Sequence, residues 1–220
     1  MVCVIIWVTG HPYYREENEL ARYRQIDREK SVSETRQHLL LAAMEEFGQK
    51  GYASANINHI SEAAGLAKGT VYNYFPSKQA LLLTLINEIG ADHLSYITGQ
   101  VLGETDAIRR LECFYTAGFN YVEKEPLQAR FLITTLNSAE EEFKLAMFRA
   151  YQSMFQLVSD EILAVGVSQG CFQVTDVRRT AALLMTIYLG TSSQLDQNGR
   201  PWLDPLEVAR FVLQALKKNS

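Results

Sequence analysis

The sequence predicts an all-α protein, and three observations carry that reading. From Ser31 onward nearly every stretch places its apolar residues at helical period. No run alternates apolar and polar residues over the length of a strand. The periodic stretches are separated by short punctuation of Gly, Pro, Ser, Asn or Asp, residues that start and stop helices. Composition agrees: in 220 residues, 47% are hydrophobic and 21% charged, with only 5 prolines and 13 glycines, which excludes wholesale disorder, collagen and a disulfide scaffold.

The elements follow in order. A first helix is expected over about 33–50, with Leu40, Ala43 and Phe47 on one face, Ser31-Val-Ser-Glu34 as a capping box and a stop at Gly51. A short second helix, about 57–64, starts at Asn56 as a side-chain cap and ends at Gly65, and a third, about 68–74, follows almost at once. Ser77 caps a long helix over about 78–102 with Leu81, Leu85 and Ile89 inward. After the turn Gly103–Asp106, a helix over about 106–124 ends before Pro126, which itself opens the next, about 126–137. Ser138-Ala-Glu-Glu141 reads as a capping box for one long helix to about 167, closed by Gly170, and two further helices, about 176–195 and 204–218, flank the loop Asp196–Pro201.

Charge and cysteine usage narrow the class. The net charge of −4 gives no global affinity for nucleic acid or anionic membrane, so DNA binding would need a local patch. Cys3, Cys113 and Cys171 fit neither a disulfide framework nor a zinc cluster, and a reducing, cytoplasmic setting follows. Residues Met1–Val8 are too short to span a bilayer and lack the flanks of a secretory signal. Residues 1–30 read as an extension outside the main fold. They are an arm laying Arg15, Arg22, Arg24, Arg28 and Lys30 near DNA, a tail without a specific role, or the product of a start placed too early.

Two short helices joined by a tight glycine-containing turn, between a capped first helix and a longer fourth, form the arrangement of a helix-turn-helix DNA reader. Lys68-Gly-Thr-Val-Tyr-Asn-Tyr74 offers a cation, a hydroxyl, an amide and two phenols within two turns, a surface able to meet phosphates and base edges, while Val71 and Phe75 face inward. Within 31–80, Arg36, Lys50, Lys68 and Lys78 balance Glu34, Glu45, Glu46 and Glu62, so attraction must come from placement, with Lys68 and Lys78 bracketing the third helix.

Arg36, Leu39-Leu40, Ala42-Ala43, Phe47, Gly51-Tyr52, Ile60-Ser-Glu-Ala-Ala-Gly65, Lys68-Gly-Thr-Val-Tyr-Asn-Tyr-Phe75, Ser77-Lys78 and Ala80-Leu81 together resemble the DNA-binding domain of TetR-family transcriptional regulators, over about 33–82. The remainder resembles that family in length and helical layout. The resemblance implies a homodimeric cytoplasmic regulator, most often a repressor, with residues 31–80 as the reader (motif about 56–75) and 81–220 as a helical ligand-binding and dimerisation domain. It puts Lys68, Gly69, Thr70, Tyr72, Asn73 and Tyr74 on the recognition helix and Lys78 on phosphate. Asn56 takes the place usually held by threonine, keeping the cap, whereas Ala67 replaces a serine and loses one.

Other chemistry is weaker. Gly166-Val-Ser-Gln-Gly170 matches a G-x-S-x-G nucleophile elbow, but that motif needs a strand–turn–helix setting and a histidine after the serine, and His11, His38, His59 and His93 all precede Ser168. No catalytic, metal or cofactor site is expected. His59 is expected on a surface or phosphate-facing position. The aromatic residues of 106–167 leave two readings, core packing or the wall of a cavity for a small, mostly apolar effector, with Tyr115, Phe119, Phe131, Phe148, Tyr151 and Phe155 as candidate wall. The last two helices are apolar around more than one face, which predicts a homodimer using Leu184, Tyr188, Val208 and Phe211. The expected partners are palindromic operator DNA, the effector and a second copy, with no membrane. The rival reading is a helical enzyme or small-molecule carrier that retains a vestigial DNA-binding fold.

Overall fold

The computed structural model describes residues 12–217, and all regular secondary structure among them is helical apart from one isolated bridge between Leu195 and Pro201. The expectation for residues 1–11 and for the Arg15 side chain falls outside the described part. Helix α1 runs Pro12–Ser54, starting well before the expected position and breaking at Gly51, as expected, where φ is +69°. Hydrophobic period reports burial, and Arg22, Arg24 and residues 25–34, which include Arg28 and Lys30, all stand exposed. No Gly or Pro interrupts the chain between Tyr13 and Phe47, so nothing stops the helix from continuing. The expected capping box at Ser31 is therefore absent. Ser31 lies inside α1, and its carbonyl accepts from Thr35 Oγ1 at 2.8 Å.

Helices α2 (Ile57–Ala63) and α3 (Lys78–Val101) are capped as the sequence predicts, Asn56 accepting from the Asn58 N–H and Ser77 from the Ala80 N–H. Helices α4 (Ala107–Lys124) and α5 (Pro126–Leu136) likewise match, with Asp106 capping the first and Pro126 opening the second. The single long helix expected to about 167 is instead several pieces: α6 (Glu141–Ala150), α7 (Gln152–Gln156), a π-helical segment (Leu157–Ala164) and α8 (Val165–Ser168). The Ser138 box does not form, because its hydroxyl is bonded to the Glu140 carboxylate and backbone N–H before the helix begins. At Tyr151 the backbone leaves helical geometry (φ −94°, ψ +3°). In the π segment the Glu161 carbonyl accepts from Arg110 Nη1 at 2.7 Å, a side chain intruding on the helix ladder. Helices α9 (Val177–Ser192) and α10 (Pro205–Leu216) are capped by Asp176 and Asp204.

Two apolar cores form. One joins α1, α2, the reader turn and α3 to α5 and α6, burying Phe47, Ile60, Val71 and Leu81 together with Phe131 and Phe143. The other gathers α4, the π segment, α9 and α10 around Phe114, Tyr115, Ile162, Leu184 and Val212. The reading unit thus shares its core with two helices that come much later in the chain.

The G-x-S-x-G stretch is a helix end. Gly170 N–H bonds to the Val167 carbonyl and Cys171 N–H to the Gly166 carbonyl, the pattern that closes a helix on a left-handed glycine. Gly166 is required because a Cβ there would lie 2.0 Å from Phe172 Cδ2. Gly166→Ala is expected to destabilise the protein by about 1–3 kcal/mol through overpacking, and Ser168→Ala, at an exposed position, to stay within about 0.5 kcal/mol, as read by urea unfolding.

Candidate functional site

The reader is built from α2, a connecting turn and a second short element. Helix α2 ends in a closed pair of bonds, Gly65 N–H to the Glu62 carbonyl and Leu66 N–H to the Ser61 carbonyl, both 2.9 Å, which reverses the chain tightly. The Ser61 hydroxyl, fully buried, accepts from the Val71 N–H at 3.4 Å and pins the next element to α2. That element is a 3-10 turn, Thr70–Asn73, rather than the α-helix expected over about 68–74. Gly69 precedes it at φ +77°, with no side-chain cap, and Pro76 follows it without an N–H, so neither end can extend. The cap position is Gly69, which has no side chain to offer, and not Ala67, where the loss of a cap was expected.

The turn presents the expected surface. Val71 and Phe75 are buried, while Lys68, Tyr72 and Asn73 point to solvent, Thr70 is half-buried and Tyr74 packs partly against the core. Lys68 Nζ sits 3.3 Å from Glu62 in an exposed pair that contributes little to stability and is free to exchange for a phosphate. Asn56 is occupied as a cap. Lys78, at the start of α3, donates to the Ala53 carbonyl at 3.4 Å and lies 4.7 Å from the centre of the Tyr52 ring. Partial burial lowers the pKa of its ammonium, with Glu46 and Glu140 opposing the shift.

Glu46 is the residue that sequence reasoning missed. It is buried at 4% exposure and reaches α2 with both oxygens. Oε1 accepts from the Asn56 N–H at 3.0 Å and from Lys50 Nζ at 2.9 Å, and Oε2 pairs with His59 Nδ1 at 2.8 Å. Burial alone would raise its pKa, yet these three donors outweigh it and hold the carboxyl at about 2. His59, expected on a surface or phosphate-facing position, is half-exposed and spent on this contact.

A second feature lies in the helical body. Helices α3, α4, α5, α6 and α9 line a partly open cavity of about 40 Å³ with an apolar wall including Leu132, Leu136 and Met147 and a polar end made by His93, Tyr151 and Tyr188. His93 is buried; its Nδ1 is 2.8 Å from the Tyr151 hydroxyl, its Nε2 is 2.9 Å from the Tyr188 hydroxyl, and its ring stacks on Tyr121 at 4.2 Å. Burial pulls its pKa down to about 4 and pushes the Tyr188 and Tyr151 phenols well up. The one available signal for His93 was a lone histidine between Ile89 and Ile97 on the apolar face of its helix.

Of the six aromatic residues expected as cavity wall, Tyr151 alone faces this space. Tyr115, Phe119 and Phe131 are packed in the two cores, Phe155 lies half-buried against one of them, and Phe148 is 74% exposed. Among the residues expected at a dimer interface, Leu184, Tyr188 and Val208 turn into the chain's own core, whereas Phe211 is 68% exposed beside Leu183 and Leu206, which are also exposed. A larger cleft, about 390 Å³, opens between the end of α1 and the α5–α6 loop, lined in part by Lys50, Tyr52, Asn137 and Glu140. Among the described residues, no group of three or more His, Cys, Asp or Glu is disposed to hold a metal ion, and no helix is long and apolar enough to cross a membrane.

Residues 39–85 match the family described as bacterial regulatory proteins, tetR family. The chain is 28% identical over 130 residues to the HTH-type transcriptional activator FasR of Mycolicibacterium smegmatis, a match covering 57% of this chain and 59% of that protein. It therefore spans less than two thirds of this relative's length. The fold is similar to the fatty acid degradation regulator FadR from Bacillus halodurans, with a TM-score of 0.70 and 23% identity over 82% of this chain and 93% of that one. It is similar also to FadR from Bacillus subtilis in complex with stearoyl-CoA, with a TM-score of 0.70 and 19% identity over 83% of this chain and 97% of that one.

Two buried groups, His93 and Glu46, shape the acid limb of stability. The pKa of His93 is lower in the folded chain than in the unfolded one, so its contribution is complete above about 6.5 and is lost as pH falls toward 4. Glu46, also depressed, contributes above its ordinary 4.5 and loses that contribution as pH falls toward 2. Melting temperatures across this range should show both losses, with Glu46→Gln removing the lower one and costing about 1–3 kcal/mol at neutral pH.

Proposed function

We propose that this member of the bacterial tetR family of regulatory proteins is a cytoplasmic, ligand-responsive transcriptional repressor that binds a palindromic operator as a homodimer. The reading surface is the turn carrying Lys68, Thr70, Tyr72 and Asn73, with Lys78 on the phosphate backbone. The effector is small and mostly apolar and occupies the cavity between α3, α4, α5, α6 and α9. FadR from Bacillus subtilis binds stearoyl-CoA, which supports an acyl-coenzyme A as one form such an effector could take.

One observation carries the reading. Helices α5 and α6 each bury one face on the cavity and another on the DNA reader. On α5, Leu132 and Leu136 line the cavity while Thr134 Oγ1 donates to the Gly48 carbonyl of α1 at 3.0 Å. On α6, Met147 lines the cavity while Phe143 sets its ring 4.5 Å from that of Tyr52, on whose face Lys78 rests. Gln79 of α3, next to Lys78, donates to Glu142 of α6 at 2.6 Å. The cavity must widen to admit an acyl or aromatic body, and widening displaces the two helices that hold Tyr52, Lys78 and α1. This route runs through α5 and α6, in addition to the rigid connection that α3 offers. A ligand that prefers the widened state then lowers operator affinity by its differential binding, about 5- to 150-fold for a coupling of about 1–3 kcal/mol.

The homodimer reading rests on the outer faces of α9 and α10, where Leu183, Leu206 and Phe211 remain exposed after the intramolecular core is complete. A two-fold axis through that face sets two reading turns against half-sites about 34 Å or a multiple apart.

Operator titration over a range of salt concentrations tests the interface. Lys78→Ala and Tyr72→Phe should weaken all sequences alike, Lys78→Ala reducing the salt slope by about one, whereas Lys68→Ala should relax preference at one or two base pairs by about 1–3 kcal/mol. Wild-type affinity in all three variants would remove this turn from the interface. Sedimentation at micromolar concentration should give a dimer that Phe211→Glu dissociates.

A further inference from the structure

The polar end of the cavity contains more protons than it can use. Tyr151, His93 and Tyr188 form a chain of two hydrogen bonds through the two ring nitrogens. A neutral imidazole has one N–H and one acceptor nitrogen. One tyrosine therefore gives its hydroxyl proton to His93, and the other accepts the His93 N–H. In either tautomer the accepting tyrosine keeps its own hydroxyl proton, and among the described residues neither hydroxyl has a hydrogen bond beyond those to His93. The neighbouring Tyr121 hydroxyl donates to Gln128 and the Ser193 hydroxyl at the rim to the Gly190 carbonyl, and neither oxygen accepts a hydrogen bond from Tyr151 or Tyr188. A buried donor without an acceptor is costly, and this one lies on the wall of a cavity whose remaining lining is mostly apolar.

We infer that this surplus hydroxyl proton of the Tyr151–His93–Tyr188 chain is the polar anchor for the effector, and that the part of the effector inside the cavity is uncharged, with a carbonyl-type oxygen set into an apolar body. The inference rests on the effector-cavity reading above and adds the chemical group the cavity selects. An acceptor is required because the leftover group is a donor. A carboxylate is excluded because the lining contains no Lys or Arg, so an anion would be buried without a counter-charge. Asp92 and Glu125, whose charges reach Tyr121, strengthen that exclusion. An amine or alcohol would offer a further donor to a site already in surplus, whereas a ketone, ester or thioester oxygen removes the surplus.

The test uses three probes of similar size on the full chain: 2-pentanone, n-hexane and butyrate, with binding followed by the NMR signal of the Met147 methyl group. The bound ketone's carbonyl stretch is read by infrared spectroscopy. The ketone and hexane are expected to bind and butyrate not to, with the ketone band at lower frequency than in hexane solvent. In Tyr151→Phe/Tyr188→Phe, ketone affinity should fall about 3- to 10-fold and the band should return toward its position in hexane solvent, while hexane affinity holds or rises. An unshifted band in the wild-type protein, butyrate binding as tightly as ketone, or unchanged ketone affinity in a folded double variant would overturn the anchor while leaving the cavity reading in place. Failure of both ketone and hexane to perturb Met147 would overturn the cavity reading and the anchor with it. Should the double variant not fold, the wild-type infrared band decides alone.

Discussion

Helix α5 is buried on opposite sides, and the rest of the molecule is organised by what that requires. Phe131 is completely buried against α1, and Ala129 and Leu132 are nearly so on the side of α4 and the cavity. A helix with one apolar stripe can slide over its neighbour, whereas one packed on two sides transmits displacement because interiors are close-packed. Since the reader's core is completed by α5 and α6, the reading unit has no rigid existence apart from the body that holds the cavity. The contact is direct at position 48, whose carbonyl accepts from Thr134 Oγ1 of α5 at 3.0 Å.

The reader itself depends on a buried carboxylate. Glu46 replaces solvent with the Asn56 N–H, Lys50 and His59, and so fixes where α2 begins relative to α1. A buried charge is tolerated only when it is fully paired. The pairing here involves the residue that also caps α2 with its side chain, so helix capping and helix placement are decided by one amino acid, Asn56. From Asn56 the order passes through Ser61 to the N–H of Val71 and thus to the turn that faces DNA in the proposed mode.

At the other end, His93 joins three helices, α3 through its own backbone, the α6–α7 junction through Tyr151 and α9 through Tyr188. The break at Tyr151 that interrupts the expected long helix coincides with this bond. The residue leaves helical geometry and its hydroxyl reaches His93, so the periodic apolar stretch is interrupted where this bond forms.

Much of this was legible in the residues. The all-α class, the bounds of α2 through α5, α9 and α10, the caps Asn56, Ser77 and Asp106, and the inward Val71 and Phe75 depend on neighbours within about four positions, and local chemistry settles them. The run Lys68–Phe75 carried the resemblance to tetR-family regulators for the same reason. What tertiary structure decided involves partners far apart in the chain: that the reader turn is 3-10 rather than α, that Tyr188 faces a cavity while Phe211 faces solvent, and that His93 meets phenols 58 and 95 residues away. Periodicity says that a helix has an apolar side; the rotation of that helix against its neighbours, fixed only when the cores close, determines what the side touches.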